Sequence, residues 1–388
     1  MRGLRVGIIG GGLGGLAAAL ALRETGQEPV VFERTEQFRP AGAGISIWPN
    51  GVKVLCLLGL GDRLAESSSR IDHMCYADAD GRVLTEFALE PLYAATGQWA
   101  RPIARAELQG VLAAAVGPES VQLGRSCVKV SSEQSTAVAW FSDGSSFECD
   151  LLVAADGIHS KIRPWVAGHP VERQYVGYVN FNTIIAEDEF LCATHLWKTW
   201  AGGGKRVSVM PIGRGAAYVF FDIPMPAEEA ANPVLSAVEE LEKSFGDWAD
   251  PIGGIIDRLD AARLNRVLIH ELPMVAPWFR DRVVLMGDAV HAMAPDLGQG
   301  GCQALEDAWV LAHYLATTDR SVTDALRRYQ DERAPRTAEI VRRARKRSDL
   351  THAVDPAATA AWYRSLDGDS GQGTIAGLIE SVVTGPCR

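Results

Sequence analysis

The chain has little of what would mark a secreted, metal-binding or nucleic-acid protein. Its seven cysteines (Cys56, Cys75, Cys127, Cys149, Cys192, Cys302 and Cys387) are odd in number, scattered, and form no Cys-x-x-Cys pair. That excludes a disulfide framework or a zinc site and points to reduced thiols in a cytoplasmic protein. The eight histidines fall at no metal-ligand spacing, so no metal is expected. There is no basic excess: the net charge of -10 argues against a nucleic-acid surface. Long hydrophobic runs are also scarce. The one stretch resembling a signal peptide or membrane span, LRVGIIGGGLGGLAAALAL, carries six glycines within residues 7–15 and no cleavage-like site, so no membrane association is expected.

What remains is an ordinary globular composition, 47% hydrophobic and 22% charged, in 388 residues, enough for two interlocked domains. The glycine-rich stretch reads as strand, turn and helix. Arg5 to Ile9 is a short β-branched strand, Gly10 to Gly15 contains Gly-x-Gly-x-x-Gly, and Leu16 to Arg23 continues as an Ala/Leu helix. A second strand, Pro29 to Phe32, ends on Glu33, 21 residues beyond Gly12. This is the dinucleotide fingerprint in its proper context. Gly10 permits the turn, Gly12 lets a pyrophosphate approach the backbone, Leu13 opens the helix, and Gly15 lets helix and strand pack. The helix N-terminus supplies amide donors to phosphate, and Glu33 suits an adenosine ribose. NAD and FAD both fit this unit.

Two later corners narrow the choice. Asp150 to Asp156 is a buried strand breaking at Asp156-Gly157, followed by Ser160 and Arg163 in a new helical turn. Arg282 to Met286 is another, ending at Gly287-Asp288, with Pro295 and the corner Gly298-Gln299-Gly300-Gly301 leading into a helix. With these three motifs in order, the chain resembles the single-component FAD-dependent aromatic hydroxylases of the p-hydroxybenzoate hydroxylase type. The resemblance implies an α/β fold: a Rossmann-like FAD-binding domain of the GR2 type, an antiparallel-sheet substrate domain and C-terminal helices. It implies FAD as cofactor, held also by Arg34 and Arg105. Asp288 would meet the ribityl chain, and the 298–301 corner the flavin pyrimidine edge. No second Gly-x-Gly-x-x-Gly is present, so NAD(P)H is expected as a transient co-substrate, with O2 as the other.

The expected division is 1–72, 101–175 and 270–325 for FAD, 73–100 and 176–269 for the substrate sheet, and 326–388 for a C-terminal helical segment. Residues 326–350, rich in arginine, read as a solvated helix face. Residues 73–89 read as a hairpin turning at Asp80-Gly81. Residues 205–222 read as another, with a three-residue loop at 212–214 that pairs Ser208 with Tyr218. Period-two alternation then places Arg206, Ser208, Tyr218 and Phe220 on one face and Val207, Val209, Val219 and Phe221 on the other, with Arg206 and Tyr218 as diagonal neighbours. On residue type alone, Arg206 also suits an edge-strand charge, Tyr218 core packing and Asp296 a turn.

Within the family the chain resembles the FAD-dependent urate hydroxylases, through AGISIWPNGVKVL, YVGYVNFN, GGKRVSVMPI, YVFFDIP, PDLGQGGCQALEDA and ARKRSDLTH. That likeness implies that Arg206, Tyr218 and Asp296 hold and activate urate for oxygen transfer from a C4a-hydroperoxyflavin. Cys302 stands where many relatives of the wider family have Asn. A hydroxylase of another aromatic acid or phenol, and a non-catalytic flavoprotein redox sensor, stay open, as do monomer and homodimer.

Overall fold

The computed structural model describes residues 3–38, 43–133, 135–187, 193–318, 321–383 and 385. Cys192 and Cys387 lie outside them; the other five cysteines are free thiols.

Short, apolar, β-branched segments form a six-stranded sheet in the order Phe279–Arg280, Val283–Leu285, Leu151–Ala154, Arg5–Ile9, Glu28–Phe32, Val121–Gln122. All neighbours are parallel except the Phe279–Arg280 edge. The central strands are buried on both faces, which is why they read as continuous hydrophobic runs. Three adjacent strands end at Ile9, Ala154 and Leu285, so the Gly10, Asp156 and Gly287 corners stand side by side on one carboxyl edge. That is where open α/β sheets take ligands. Gly10 has φ +114°, and a Cβ there would lie 2.3 Å from the Ala155 carbonyl oxygen. A Cβ on Gly15 would lie 2.0 Å from the Gly10 carbonyl oxygen, so only glycine lets helix Leu13–Glu24 sit this close.

The second large sheet has seven strands: Asn265–Glu271, Gln174–Ala186, Ala216–Pro224, Lys205–Gly213, Leu196–Gly202, His73–Ala77 and Val83–Ala88. It is not wholly antiparallel as expected, because Leu196–Gly202 runs parallel to His73–Ala77. The 73–88 hairpin forms, with the Gly81 amide closing onto the Asp78 carbonyl. One face of the sheet is dry: Val207, Val209, Val219 and Phe221 pack on Leu241, Phe245 and Ile252 of two short helices.

The 205–224 hairpin has a different register from the expected one. Its turn is two residues, Arg214-Gly215, both at positive φ, and a bulge follows Pro211. Ser208 therefore pairs with Phe220, Arg206 with Asp222, and Met210 with Tyr218. The offset is two residues, an even number, so every side chain keeps its expected face. Arg206 and Tyr218 are no longer diagonal neighbours; they lie on the order of 13 Å apart along the strands.

Helix Val322–Thr351 corrects another expectation. It is not simply a solvated face. Arg333 is fully buried, donating to Asp307 Oδ1 at 2.7 Å, to Gln303 Oε1 at 2.7 Å and to Glu306 Oε2 at 2.5 Å. Arg336 adds two contacts to Glu306 at 2.7 Å. Asp307 Oδ2 also accepts from the Gly287 amide at 2.8 Å and faces His291 Nε2 at 2.6 Å. This cluster ties the third corner to helices Gly300–Thr317 and Val322–Thr351. Burial pushes the Asp307 carboxyl up, but His291 and Arg333 outweigh it and bring it down to about 2 from an ordinary 3.8. The folded state therefore holds fewer protons than the unfolded chain, and this contribution is complete above the ordinary value. We expect the thermal midpoint to fall as pH drops from 3.8 towards about 2. Protonating Asp307 leaves Arg333 less compensated, and by linkage a shift of this size is worth roughly 2–3 kcal/mol of stability. A thermal midpoint flat across that window would exclude this role.

Candidate active site

The carboxyl edge of the first sheet and the polar face of the second enclose one continuous cavity of about 1050 Å³. Of the residues read from sequence, Gly10, Gly12, Leu13, Glu33, Arg34, Arg105, Asp156, Gly157, Gly287, Asp288, Pro295, Gly298, Gln299, Gly300 and Gly301 line it, and so do Arg206, Tyr218 and Asp296.

Two do not. Gly15 acts one layer back, in helix–strand packing. The Arg163 guanidinium donates to the carbonyls of Ile158 at 2.9 Å and Ala289 at 3.1 Å, so it braces the second corner against the third. Gln299 reaches the cavity only in part. Its side chain is turned to Asn50 and Gln303, at 3.0 and 3.1 Å, under the helix start. Cys302 is also turned away: its sulfur accepts from the Trp48 amide at 3.4 Å, and burial pushes the thiol up to about 12.

The residues present fit FAD. Helix Leu13–Glu24 has no acidic side chain in its first turn, and a Cβ on Gly12 would meet nothing within 4 Å, so amide donors face open space there. The Glu33 carboxylate is fixed at the end of its strand by the Gly11 amide at 2.7 Å and the Thr35 amide at 3.0 Å. Asp156 is held by the Lys161 amide at 2.9 Å on Oδ2, while its buried Oδ1 has no partner among the described residues. The first-turn amides of helix Gly300–Thr317 are likewise unused by the helix and border the cavity.

On the sheet side, Arg206 Nε donates to Asp222 Oδ2 at 2.7 Å, and Nη2 lies 2.6 Å from the same oxygen and 3.2 Å from Asp296 Oδ1. Both carboxylates are fully buried. Burial opposes the charge on Asp296, yet Arg206 and His352 hold its carboxyl well below the usual range. Burial works against the Arg206 charge too, and Asp222 and Asp296 more than restore it. Asn180 donates to Asp222 Oδ1 at 2.7 Å, and Tyr178 to Asp296 Oδ2 at 2.8 Å.

The Phe220 ring lies 5.2 Å from the Arg206 guanidinium and 5.4 Å from the Tyr218 ring. Tyr218 in turn is pressed on the Gly44 backbone, where a Cβ would come within 2.4 Å of its ring. Burial, with Asp222 nearby, pushes the Tyr218 phenol upward, so it stays a donor. Sequence reading missed Asp222, Tyr178, Asn180 and His352. Asp222 alone had a visible signal, since it shares the parity of Tyr218 along YVFFDIP.

The profile of the family described as FAD binding domain matches residues 4–344. The chain belongs to that family. It is 42% identical over 381 residues to the FAD-dependent urate hydroxylase of Klebsiella pneumoniae subsp. pneumoniae, covering 98% of each chain. It is 41% identical over 386 residues to the one of Mycolicibacterium vanbaalenii, covering 99% of this chain and 98% of that one. The crystal structure of Klebsiella pneumoniae HpxO complexed with FAD and uric acid superposes with a TM-score of 0.95 at 40% identity, over 99% of this chain and 98% of the other. The chain is thus an FAD-dependent monooxygenase with a small-molecule aromatic substrate. Among the described residues no group of three metal ligands occurs, and no helix is long and apolar enough to cross a membrane.

Proposed function

We propose that this chain hydroxylates urate at C5, giving 5-hydroxyisourate, and that Arg206, Tyr218 and Asp296 form its substrate site. The observation that carries this reading is the Arg206 guanidinium, fixed by two buried carboxylates on the cavity face of the sheet. Its Nη1 donors have no protein partner among the described residues. That edge can take a planar anion bidentately. Tyr218, kept neutral, donates to an exocyclic carbonyl oxygen and fixes the plane of the purine. Asp296 and Asp222 stop the guanidinium from turning. The sheet floor adds Asn180, Asn182, Asn265 and Thr199, amides and a hydroxyl that suit a heterocycle rich in N–H and C=O more than a phenol.

FAD, when bound, supplies two-electron reduction by NAD(P)H and the activation of O2. One oxygen atom goes to C5 and the other leaves as water, with NAD(P)H and a proton consumed. Met210, Phe220, Trp48 and Trp197 give the cavity an apolar wall that excludes water from the reacting edge. The loops holding the cofactor belong to 1–72, 101–175 and 270–325, and the substrate floor to 73–100 and 176–269. Within them, the motif residues from Gly10 to Gly301 that border the cavity hold FAD, with Arg34 and Arg105 at its edge. Aerobic NADH oxidation by the purified yellow protein tests this. Urate should accelerate it with little hydrogen peroxide formed, while salicylate and hydroxynicotinate should not. Peroxide equal to NADH consumed would send the site to another substrate.

A further inference from the structure

Arg206 is not an isolated cation. With Asp222 and Asp296 both within 3.2 Å, the three groups sum to a negative charge, which would repel an anion brought to the guanidinium. A fourth group closes the balance. His352 caps the C-terminus of helix Val322–Thr351 and is buried behind Asp296, outside the cavity lining. Its Nε2 lies 3.3 Å from Asp296 Oδ1 and its Nδ1 lies 3.2 Å from the Gly204 carbonyl oxygen. Both neighbours can only accept. A neutral imidazole has a single N–H, so either tautomer would set one ring lone pair against an oxygen; the doubly protonated ring satisfies both. The ring also stacks on Tyr178 at 3.8 Å, a favourable seat for a cation, and the Tyr178 hydroxyl is the donor to the other oxygen of Asp296.

We propose that His352 is held as an imidazolium and is the charge that allows this site to accept an anionic substrate. The inference rests on the urate reading above. His352 touches no substrate; it is a positioning residue that neutralises Asp296, so that the Arg206 charge acts on the ligand. The groups facing it are Asp296 from the corner before the flavin loop, Tyr178 from its strand, and the Gly204 carbonyl. Arg206 and Asp222 are reached through Asp296. From helix Pro356–Leu366, Tyr363 approaches the Thr351 carbonyl beside it, at 3.5 Å.

The test uses the FAD-loaded protein without NAD(P)H and follows the flavin spectrum during titration with urate and, separately, with xanthine held below its pKa and so uncharged. His352→Gln should weaken urate at least about tenfold and xanthine less than about twofold, since only the anion feels the lost charge. Removing the negative partner as well, in Asp296→Asn/His352→Gln, should recover urate affinity relative to the single variant. An equal loss for both ligands, or no recovery in the double variant, would overturn the proposal and leave His352 a packing residue. If His352→Gln fails to hold FAD, neutron diffraction from the wild-type crystal decides. Deuterons on both ring nitrogens support the proposal, and a single one overturns it. A wild type that binds neither purine would sink the urate reading instead, and the protonation state of His352 would still be read from the crystal.

Discussion

Replacing Arg206 with alanine leaves FAD bound and removes the stimulation of NAD(P)H oxidation by urate. Retention of the cofactor follows from where Arg206 sits. It is on strand Lys205–Gly213 of the second sheet, whereas the three corners proposed to hold FAD stand on the first. Loss of the substrate response follows from geometry. A fork of charge-assisted donors that meets a planar anion contributes several kcal/mol, so kcat/KM for urate should fall by roughly 10²- to 10³-fold. Arg206→Lys should restore only part of this, because an ammonium cannot reproduce the fork or bridge Asp222 and Asp296 together. The alanine variant should also be less stable, since two buried carboxylates lose their common cation. The checks are bound-flavin absorbance, NAD(P)H consumption with and without urate, and a thermal midpoint. A variant that turns over urate normally would remove Arg206 from the substrate site.

The parts of this site that were legible in the sequence are those whose chemistry is local. Gly10 and Gly15 announce a strand-to-helix turn because the backbone tolerates no other residue there, Gly12 leaves open room before the helix amides, and Asp156-Gly157 and Gly287-Asp288 end strands whose hydrophobic runs are visible. What was illegible depended on backbone conformations or contacts that residue type does not encode. The two-residue turn at Arg214-Gly215 places an arginine at φ +54°, where Asn or Gly is usual, so the hairpin register came out offset. The partners of Arg206 and Asp296 come from two other strands, a loop and a helix end, and apart from the parity of Asp222 no spacing rule links them. Arg333 is an instructive middle case. Its helix is rich in charge, but Val322, Leu326, Tyr329, Arg333, Thr337, Ile340 and Ala344 recur at helical spacing and are all buried. An arginine inside that stripe was the signal of a buried ion cluster.

Gly12→Val should give a folded protein that does not hold FAD. The two glycines of the first corner make opposite demands, and the contrast makes the outcome diagnostic. At Gly15 an added Cβ would lie 2.0 Å from a backbone oxygen, so substitution there breaks the packing of helix on strand with or without ligand. At Gly12 the backbone is extended, with φ -75° and ψ -179°, and an added Cβ meets no atom within 4 Å. Valine is therefore tolerated by the polypeptide itself, and β-branching suits an extended residue. The space it fills is the one in front of the helix amides, where a pyrophosphate must approach to accept their hydrogen bonds. Overlap of that kind costs about 1–3 kcal/mol or more and also forfeits amide–phosphate bonds, so FAD affinity should fall at least about 10²-fold. The variant should be colourless as purified, with the circular dichroism of the wild type. Its thermal midpoint should match that of the wild type stripped of FAD and lie below that of the loaded protein, because only ligand linkage has been lost. A yellow variant with wild-type flavin content would show that the pyrophosphate does not lie at Gly12.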